Sequence, residues 1–184
     1  MKASSSAPVK FAILAVDVAV LALRGDEIVV RTMPARTGEV FKGKLALPGG
    51  LIGAEEDAET AARRIVDEKA HLSPESVYIE QLYTFSAVNR DPRGRVVAVA
   101  YLGLVSWESL SENEKSETNG VQWIPIGDLK HLAYDHDSIL ATALTRLRSR
   151  IRYTTLVAKL LGKTFTLSDF EHAYAVILHE ELDK

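Results

Sequence analysis

A proline and two glycines join a short apolar strand to a well-marked helix, and this connection constrains the fold more than any other segment. The predicted strand covers residues 45–47, the turn is Pro48-Gly49-Gly50, and the helix is predicted to begin near Asp57. Glycine lets a backbone approach a bound molecule closely, and the start of a helix favours phosphate groups. Glycine is also common in ordinary strand–helix connections, so the turn alone does not establish a binding site.

The composition excludes several classes of protein. The chain has 184 residues, 26% of them charged, and a formal net charge of −3, which disfavours a disordered chain. It has no cysteine, which excludes disulfides, zinc–cysteine sites, iron–sulfur clusters and a thiol nucleophile. The longest apolar run, residues 11–23, contains Asp17 and is too short to span a bilayer. We therefore expect a soluble cytoplasmic protein without membrane association, with a frayed tail at residues 1–8.

The periodicity of apolar residues changes near residues 127–136, which predicts a boundary between two parts of the chain. Residues 1–134 combine β-strands with one helix, whereas residues 135–184 show only helical periodicity. The strands are predicted at residues 11–23, 27–32, 45–47, 76–85, 96–107 and 121–125, with a turn at 24–26 and a long loop at 33–44. Apolar stripes at 139–151, 156–161 and 170–178 predict three helices in the second part. The predicted fold class is α+β with an all-α C-terminal segment.

The spacing through the first predicted helix resembles the signature of the Nudix family. That signature is a glycine, five residues, a glutamate, seven residues, and then Arg-Glu-apolar-any-Glu-Glu-any-Gly-apolar. The matching residues are Gly50, Glu56, Arg64, Val66, Glu68 and Leu72. The resemblance implies an α/β/α sandwich with a mixed sheet, so residues 1–134 are expected to form a Nudix-like ligand-binding domain. Family enzymes cleave diphosphates linked to another moiety, and glutamates of this helix hold Mg²⁺ and activate water.

Two of the three helix carboxylates that the resemblance implies are replaced. Ile65 stands at the first position and Lys69 at the third, and Glu68 alone keeps its carboxylate. Mg²⁺ prefers oxygen ligands, and two like unit charges ~4 Å apart repel by about 4 kcal/mol at an effective dielectric near 20. We therefore expect no catalytic residue in this box, no metal site and no required cofactor. Lys69 could instead meet a diphosphate directly, and Glu56 and Glu68 are the residual candidates for a metal.

Further segments narrow the resemblance. Residues 81–85 and 89–101 resemble a Nudix branch that handles ADP-ribose and related nucleotides. With residues 135–170, they resemble the Nudix-related transcriptional regulators of NAD metabolism, which join a degenerate Nudix domain to a winged helix-turn-helix. Those regulators bind operator DNA as dimers and respond to ADP-ribose. In them a basic recognition helix and a β wing follow the position of Lys184, so residues 135–184 are expected to be an incomplete winged helix-turn-helix, and operator DNA a partner of a full-length form.

The resemblance and the residue chemistry together give candidate ligand-binding residues. Glycines permit close approach, arginine forks match phosphate oxygens, and tyrosine rings can stack on adenine. The candidates are Lys44, Gly49, Gly50, Arg64, Glu68, Lys69, Tyr83, Arg90, Arg93 and Tyr101. Structural interpretations stay open for several of them. Arg64 is expected to pair with Glu68 along the helix, and both tyrosines could pack in the core instead.

Three other polar residues also have open interpretations. Asp17, inside the first strand, is either a pocket or domain-contact residue or a satisfied polar group at a strand edge. His71 takes the glycine position of the family signature and is expected to end the helix. His136 lies between two aspartates, and the start of a helix explains this arrangement better than a metal site does.

The C-terminal part carries six cations without an intervening acid, between residues 146 and 163. Such a run forms either a solvated helix face or a patch that meets nucleic-acid phosphates. On the second interpretation Arg148, Arg150 and Arg152 contact the DNA backbone. A helix-turn-helix reads bases with its second helix, so this chain is expected to contact DNA weakly and through phosphates alone.

Three functions therefore compete. The first is an ADP-ribose-sensing transcriptional regulator that acts as a homodimer. The second is a Nudix hydrolase of ADP-ribose or another nucleoside diphosphate derivative, in which Glu55, Glu56 or Glu59 replaces the lost ligands of Mg²⁺. The third is an interaction module with an empty pocket. We favour the regulator, because a pocket that keeps its glycines and loses its metal carboxylates suits binding without turnover.

Overall fold

A mixed sheet organises residues 11–36 and 39–178, which the computed structural model describes. Its seven strands are β1 (Ile13–Arg24), β2 (Glu27–Pro34), β3 (Leu45–Ala46), β4 (Gly49–Leu51), β5 (Tyr78–Phe85), β6 (Val96–Leu104) and β7 (Gln122–Pro125). The main strand order is β3-β2-β1-β6-β5, with β4 paired to β1 and β7 paired to β2. Strands β1 and β6 run parallel, and the other strand pairs are antiparallel. The predicted mixed sheet is therefore confirmed.

Helices cover both faces of the sheet. They are α1 (Ala58–Glu68), α2 (Glu112–Lys115), α3 (His136–Ile151) and α4 (Leu167–Leu178). Single 3₁₀ turns occur at Glu39–Phe41, Trp107–Ser109, Ile126–Asp128 and Thr155–Lys159. The apolar stripe at 156–161, predicted as a helix, thus forms a 3₁₀ turn. None of the described helices combines the length and hydropathy that a bilayer-crossing segment requires.

Two apolar clusters lie on opposite faces of β1, because successive side chains of a strand point to opposite sides. Val18 and Val20 pack beneath α1 together with Ile65. Ala19 and Leu21 pack in the cluster that α3 and α4 complete. Burial on both faces explains why β1 is almost continuously apolar. The second cluster runs without a break from the sheet to α4, so the division at residue 134 stays a prediction.

Both ends of α1 follow from local chemistry. Asp57 caps the helix, and its side chain accepts the Thr60 N–H at 2.7 Å. His71 follows the helix with φ of 54°, in the left-handed region that commonly ends helices. The Leu72 N–H donates back to the Val66 carbonyl. The predicted start and end of this helix are confirmed, and the left-handed backbone explains the glycine that the family signature has at this position.

The glycine turn differs from its prediction. Gly49 and Gly50 belong to β4 and pair with Asp17 and Val16 of β1, instead of forming only a turn. A Cβ atom on Gly49 would lie 2.1 Å from Asp17 Oδ1, so a side chain at this position has no room. Because Gly49 and Gly50 have no side chains, β4 lies directly beside the buried Asp17 carboxylate. Strand propensity does not predict β4, because glycine is uncommon in strands.

Candidate functional site

A narrow cleft of about 230 Å³ lies where β1, β4 and the loop before α3 meet. The predicted ligand-binding residues that line it are Gly49, Gly50, Lys69, Arg90 and Arg93. Polar and aromatic residues outside that prediction also line it, namely Asp17, Arg36, Tyr134 and His136. Asp17 is the single carboxylate among the described lining residues, against four cationic side chains. The cleft therefore favours an anion.

A larger groove of about 630 Å³ lies between the β1–β2 turn and the start of α4. None of the predicted ligand-binding residues lines it. Ligand sites are marked by a few convergent polar groups more than by volume, and the first cleft has these groups. We therefore assign the site to the smaller cleft.

Arg90 forms the buried centre of the cleft. Its side chain is 3% exposed and donates to Asp17 at 3.0 Å. It also donates twice to Asp135, from Nε at 2.9 Å and from Nη2 at 2.6 Å. A paired guanidinium of this kind fixes the geometry of both carboxylates. Arg90 thus joins β1 to the residue that precedes α3.

His136 completes this network in one defined tautomer. Its Nδ1 accepts the backbone N–H of Leu47 at 2.9 Å, so that nitrogen carries no proton. The proton of the neutral ring is therefore on Nε2, which lies 3.5 Å from Asp17 Oδ1. Both ring nitrogens face protein groups. The interpretation of His136 as a helix start is confirmed, because α3 begins at this residue.

Asp17 is ionised despite its burial. Burial raises its pKa, but His136 and then Arg90 outweigh that effect and hold the pKa below its ordinary value. The predicted pocket role of Asp17 agrees with its place in the cleft wall.

Lys69 extends from the end of α1 to the glycine strand. Its Nζ donates to the Gly49 carbonyl. Burial lowers the pKa of Lys69, and the positive charges of Arg36 and Arg64 lower it further. The positive charges of Arg36 and Arg64 thus act on Lys69, which lines the cleft.

Arg64 holds both remaining box glutamates. It pairs with Glu68 at 3.3 Å, as predicted, and its Nε donates to Glu56 at 3.0 Å. Glu56 also accepts the Gly53 N–H at 2.7 Å. The hydrogen bonds from Arg64 and then from Gly53 lower the pKa of Glu56 to about 2. Sequence spacing did not reveal the Glu56 contact, because the loop before α1 folds back to make it.

An aromatic group forms one wall of the cleft. The Tyr134 ring lies 4.5 Å from Phe41 and 5.1 Å from His136, measured between centroids. The Arg93 guanidinium lies 5.5 Å from the Tyr134 ring. Tyr134 has φ of 57°, a conformation uncommon outside glycine, which in proteins is often associated with functional sites. Nothing in the local sequence singled out Tyr134.

The two candidate tyrosines lie on opposite faces of the sheet. Tyr83 pairs with Ala100 across β5 and β6, so it shares the face that Ala100 presents to α3. Tyr101, the next residue, is buried beneath α1. The two tyrosines therefore cannot stack on the two sides of one adenine ring, and neither lines the cleft. For Tyr101 the structure supports the alternative of core packing.

A comparison with known families decides what this sandwich is. A sequence model of the NUDIX domain matches residues 13–146, from β1 into α3. The chain belongs to the Nudix family. The match passes residue 134 and enters α3, which packs on the sheet face opposite α1.

Relatives resemble the chain beyond the Nudix domain. The ADPR responsive transcriptional repressor NtrR of Acinetobacter baylyi is 30% identical over 177 residues, covering 94% of this chain and 69% of that protein. Shewanella oneidensis NrtR, solved with a 27mer DNA, gives a TM-score of 0.82 at 30% identity, covering 92% of this chain and 77% of that one. The NUDIX domain of the same protein, solved with ADP-ribose, gives a TM-score of 0.65 at 30% identity, covering 78% and 95%.

The donor set of this Nudix box does not fit a divalent metal. Ile65 is fully buried in the apolar cluster beneath α1. The Lys69 ammonium already lies on the Gly49 carbonyl, and Arg64 holds Glu56 and Glu68. Among the described residues, no three carboxylate or imidazole groups converge as metal ligands. The fold of a Nudix enzyme is present, but the oxygen ligands that Mg²⁺ prefers are not assembled.

The arginines of α3 contact the protein itself. Arg146 and Arg150 both pair with Glu80 of β5, at 3.3 and 3.0 Å. Arg148 donates to the Ile177 carbonyl near the end of α4 at 3.0 Å. Arg152 is exposed beyond the end of α3. The cations of this run therefore point in several directions, because residues two apart on a helix lie on different faces.

Proposed function

We propose that the chain is an ADP-ribose-sensing transcriptional regulator of NAD metabolism, and that its Nudix domain binds the ligand without hydrolysing it. The observation that carries this proposal is a substitution at the cleft. Lys69 stands where the family signature has a glutamate, whereas the glycines of β4 and the other cations of the lining are present. The named relatives support the ligand, since one is ADPR responsive and another was solved with ADP-ribose.

The proposed ligand contacts differ in chemistry. Gly49 and Gly50 bring bare backbone to the cleft, and Lys69 and Arg93 supply positive charge for phosphate oxygens. Arg90 contributes charge and keeps the cleft wall in place. Of the other candidates, Lys44 and Tyr83 lie outside the cleft lining. Arg64 and Glu68 do not line the cleft, but their charges act on Lys69, Arg64 lowering its pKa and Glu68 raising it.

Operator DNA is the proposed partner of the regulator, and a homodimer is the proposed binding unit. A relative solved with DNA supports the first, and the two-fold symmetry of palindromic operators supports the second. Because Arg148 and Arg150 have partners within the molecule, DNA contact by residues 1–184 is expected to be weak and to fall steeply with salt. Light scattering at micromolar concentration is expected to give twice the chain mass, and a monomer would contradict the dimer.

Calorimetric titration of ADP-ribose with Mg²⁺, combined with chromatography for AMP, tests the central proposal. We expect heat of binding and no AMP. An ordinary enzyme, turning over at about 1–10³ s⁻¹, would consume the ligand within the titration. Arg93→Gln is expected to weaken binding, whereas Arg95→Gln, on the same loop but outside the cleft lining, is the matched control. Rapid AMP release would establish the hydrolase, with Mg²⁺ as its cofactor, and absence of heat would establish a module with an empty pocket.

A further inference from the structure

The cations of the cleft differ in how their charge is balanced. Arg90 pairs with Asp17 and Asp135, and Arg93 pairs with Asp91. Among the described residues, no carboxylate lies within ion-pair distance of Arg36 or Lys69. Among the described lining residues, Arg36 and Lys69 are therefore the cations without an ion pair, and Glu68 and Asp17 act on Lys69 only at longer range.

Both side chains line the cleft. Arg36 follows β2, is exposed and lines the cleft. Lys69 is half-buried, and its Nζ lies so close to the glycine strand that a Cβ atom on Gly50 would be 2.7 Å from it. Its stem crosses from α1 to β4, which holds the ammonium at the cleft rather than in bulk water. The repulsion of Arg36 lowers the pKa of Lys69, so an anion between them would remove an unfavourable interaction.

The chemistry of a nucleotide diphosphate matches this pair. A diphosphate esterified at both ends carries two negative charges, one on each phosphate group. In a metal-dependent site a divalent cation neutralises those charges. Here an ammonium and a guanidinium offer the same two positive charges without a metal, and the guanidinium adds a fork that matches phosphate oxygens.

We infer that Arg36 and Lys69 form a two-cation seat for the diphosphate of the ligand, and that this seat replaces the divalent metal of a Nudix enzyme. The inference rests on the proposed function, in which ADP-ribose occupies the same cleft. It adds two requirements that the proposed function does not make. Arg36, which the sequence signature does not include, contacts the diphosphate, and binding is independent of divalent cations.

Calorimetry with two probes tests the seat. ADP-ribose and inorganic pyrophosphate are each titrated into the protein with EDTA and, separately, with Mg²⁺. We expect the affinity for ADP-ribose to change less than about twofold between the two buffers. Arg36→Gln and Lys69→Gln are each expected to weaken ADP-ribose binding in EDTA by about 10- to 100-fold, the usual effect of one charge-assisted hydrogen bond. Pyrophosphate should bind more weakly than ADP-ribose and lose affinity in the same two variants.

Lys42→Gln is the matched control. Lys42 lies in the same loop region, is exposed, pairs with Glu39 at 3.2 Å and does not line the cleft. Its loss should leave both affinities unchanged. Thermal unfolding of each variant separates a loss of binding from a loss of folding. Arg36 is exposed, so its variant gives the test that folding affects least.

The outcomes distinguish a failure of the two-cation seat from a failure of the proposed function. Binding of ADP-ribose only when Mg²⁺ is present would overturn the seat and leave the proposed function standing. Undiminished binding in Arg36→Gln would also overturn it, because the second cation would then be irrelevant. Failure of the unmodified protein to bind ADP-ribose in either buffer would overturn the proposed function itself.

Discussion

At the scale of single residues, the cleft depends on charges that are buried and mutually satisfied. Asp17 lies inside an apolar strand, and Arg90 and His136 both face it. A buried ion pair adds little net stability by itself, but removal of one partner leaves a charge without compensation. The network therefore defines the shape of the cleft more than it stabilises the fold, and its members are not interchangeable.

Arg90→Gln is expected to destabilise the protein by about 3 kcal/mol or more, because Asp17 would remain buried without its guanidinium. Arg95→Gln is the matched control, since Arg95 is exposed and its guanidinium donates to the Ser86 and Ala87 carbonyls. Its effect should stay below about 1 kcal/mol. Denaturant unfolding at neutral pH measures both, and equal losses in the two variants would contradict the central role of Arg90.

Glu56 gives a pH-dependent test. Its pKa falls from 4.5 to about 2 in the folded protein, mainly through the hydrogen bond from Arg64. A lowered pKa means that this pair stabilises the fold above pH 4.5 and loses its effect as pH falls towards 2. Relative to the unmodified protein, Glu56→Gln should therefore be less stable at pH 6, and the difference should shrink on acidification. Glu59→Gln, at the exposed pair with Arg63, is the surface control. A difference that does not change with pH would contradict the assignment.

At the scale of elements, α1 shows what the sequence could predict. Its cap at Asp57, its end at His71 and its position in the family signature are local features, and all three predictions agree with the structure. The partners of its side chains were less accessible. Lys69 meets the carbonyl of Gly49, and the burial of Ile65 depends on the strands beneath it. The sequence predicts the helix, whereas tertiary packing determines which groups its side chains contact.

The cleft residues that sequence reasoning missed have the same explanation. Tyr134 and Arg36 lie in loops, where no periodicity marks a side chain as facing a site. Asp135 and His136 begin the segment whose sequence resembles the regulators. That resemblance was the available signal that the beginning of α3 lies near the cleft. Strand β4 was predicted as a turn because its register depends on contact with Asp17.

Lys69→Glu tests whether α1 can still carry a metal ligand. The substitution removes a cation and places a carboxylate near the Gly49 carbonyl and Asp17. We expect Mn²⁺ affinity to rise by at least about tenfold, since a 1.4 kcal/mol change is tenfold and charge reversal exceeds it. Lys42→Glu, in an exposed loop, is the charge-matched control. The double change with Ile65→Glu should improve affinity further but at a cost in stability, because Ile65 is fully buried. Equal Mn²⁺ titrations in Lys69→Glu and the control would contradict this account.

At the scale of the whole molecule, α3 connects the cleft to the C-terminal segment. Its beginning is held by Arg90 through Asp135 and by the Leu47 N–H through His136. Near its other end, Arg148 donates to the Ile177 carbonyl of α4. The Tyr174 hydroxyl of α4 donates to the Ile151 carbonyl at 2.9 Å. A helix of 16 residues spans about 24 Å, so its two ends contact the cleft network and α4. We expect a displacement at the cleft to be passed along this helix to α4.

This arrangement predicts that a ligand in the cleft alters α4. An anion beside Arg90 competes with Asp135 for the guanidinium, which weakens the tie at the beginning of α3. Hydrogen exchange of α4 is therefore expected to change when ADP-ribose is added, by an amount within the 1–3 kcal/mol typical of coupled sites. Asp135→Asn should lose most of the response in α4. ADP-ribose is added to saturation in this variant, so that a change in affinity does not mimic the loss, because Asp135 holds Arg90 without lining the cleft itself.

Asp137→Asn is the matched control for this coupling. Asp137 lies in the same helical turn but accepts the Leu132 N–H and does not contact Arg90. It should keep both ligand binding and the response of α4. If Asp135→Asn and Asp137→Asn respond like the unmodified protein, the Arg90–Asp135 pair does not carry the signal. If α4 is unchanged while ADP-ribose saturates the unmodified protein, then α3 does not move as a rigid lever, and ligand sensing in this chain must reach its partner through another surface, such as the interface between two copies.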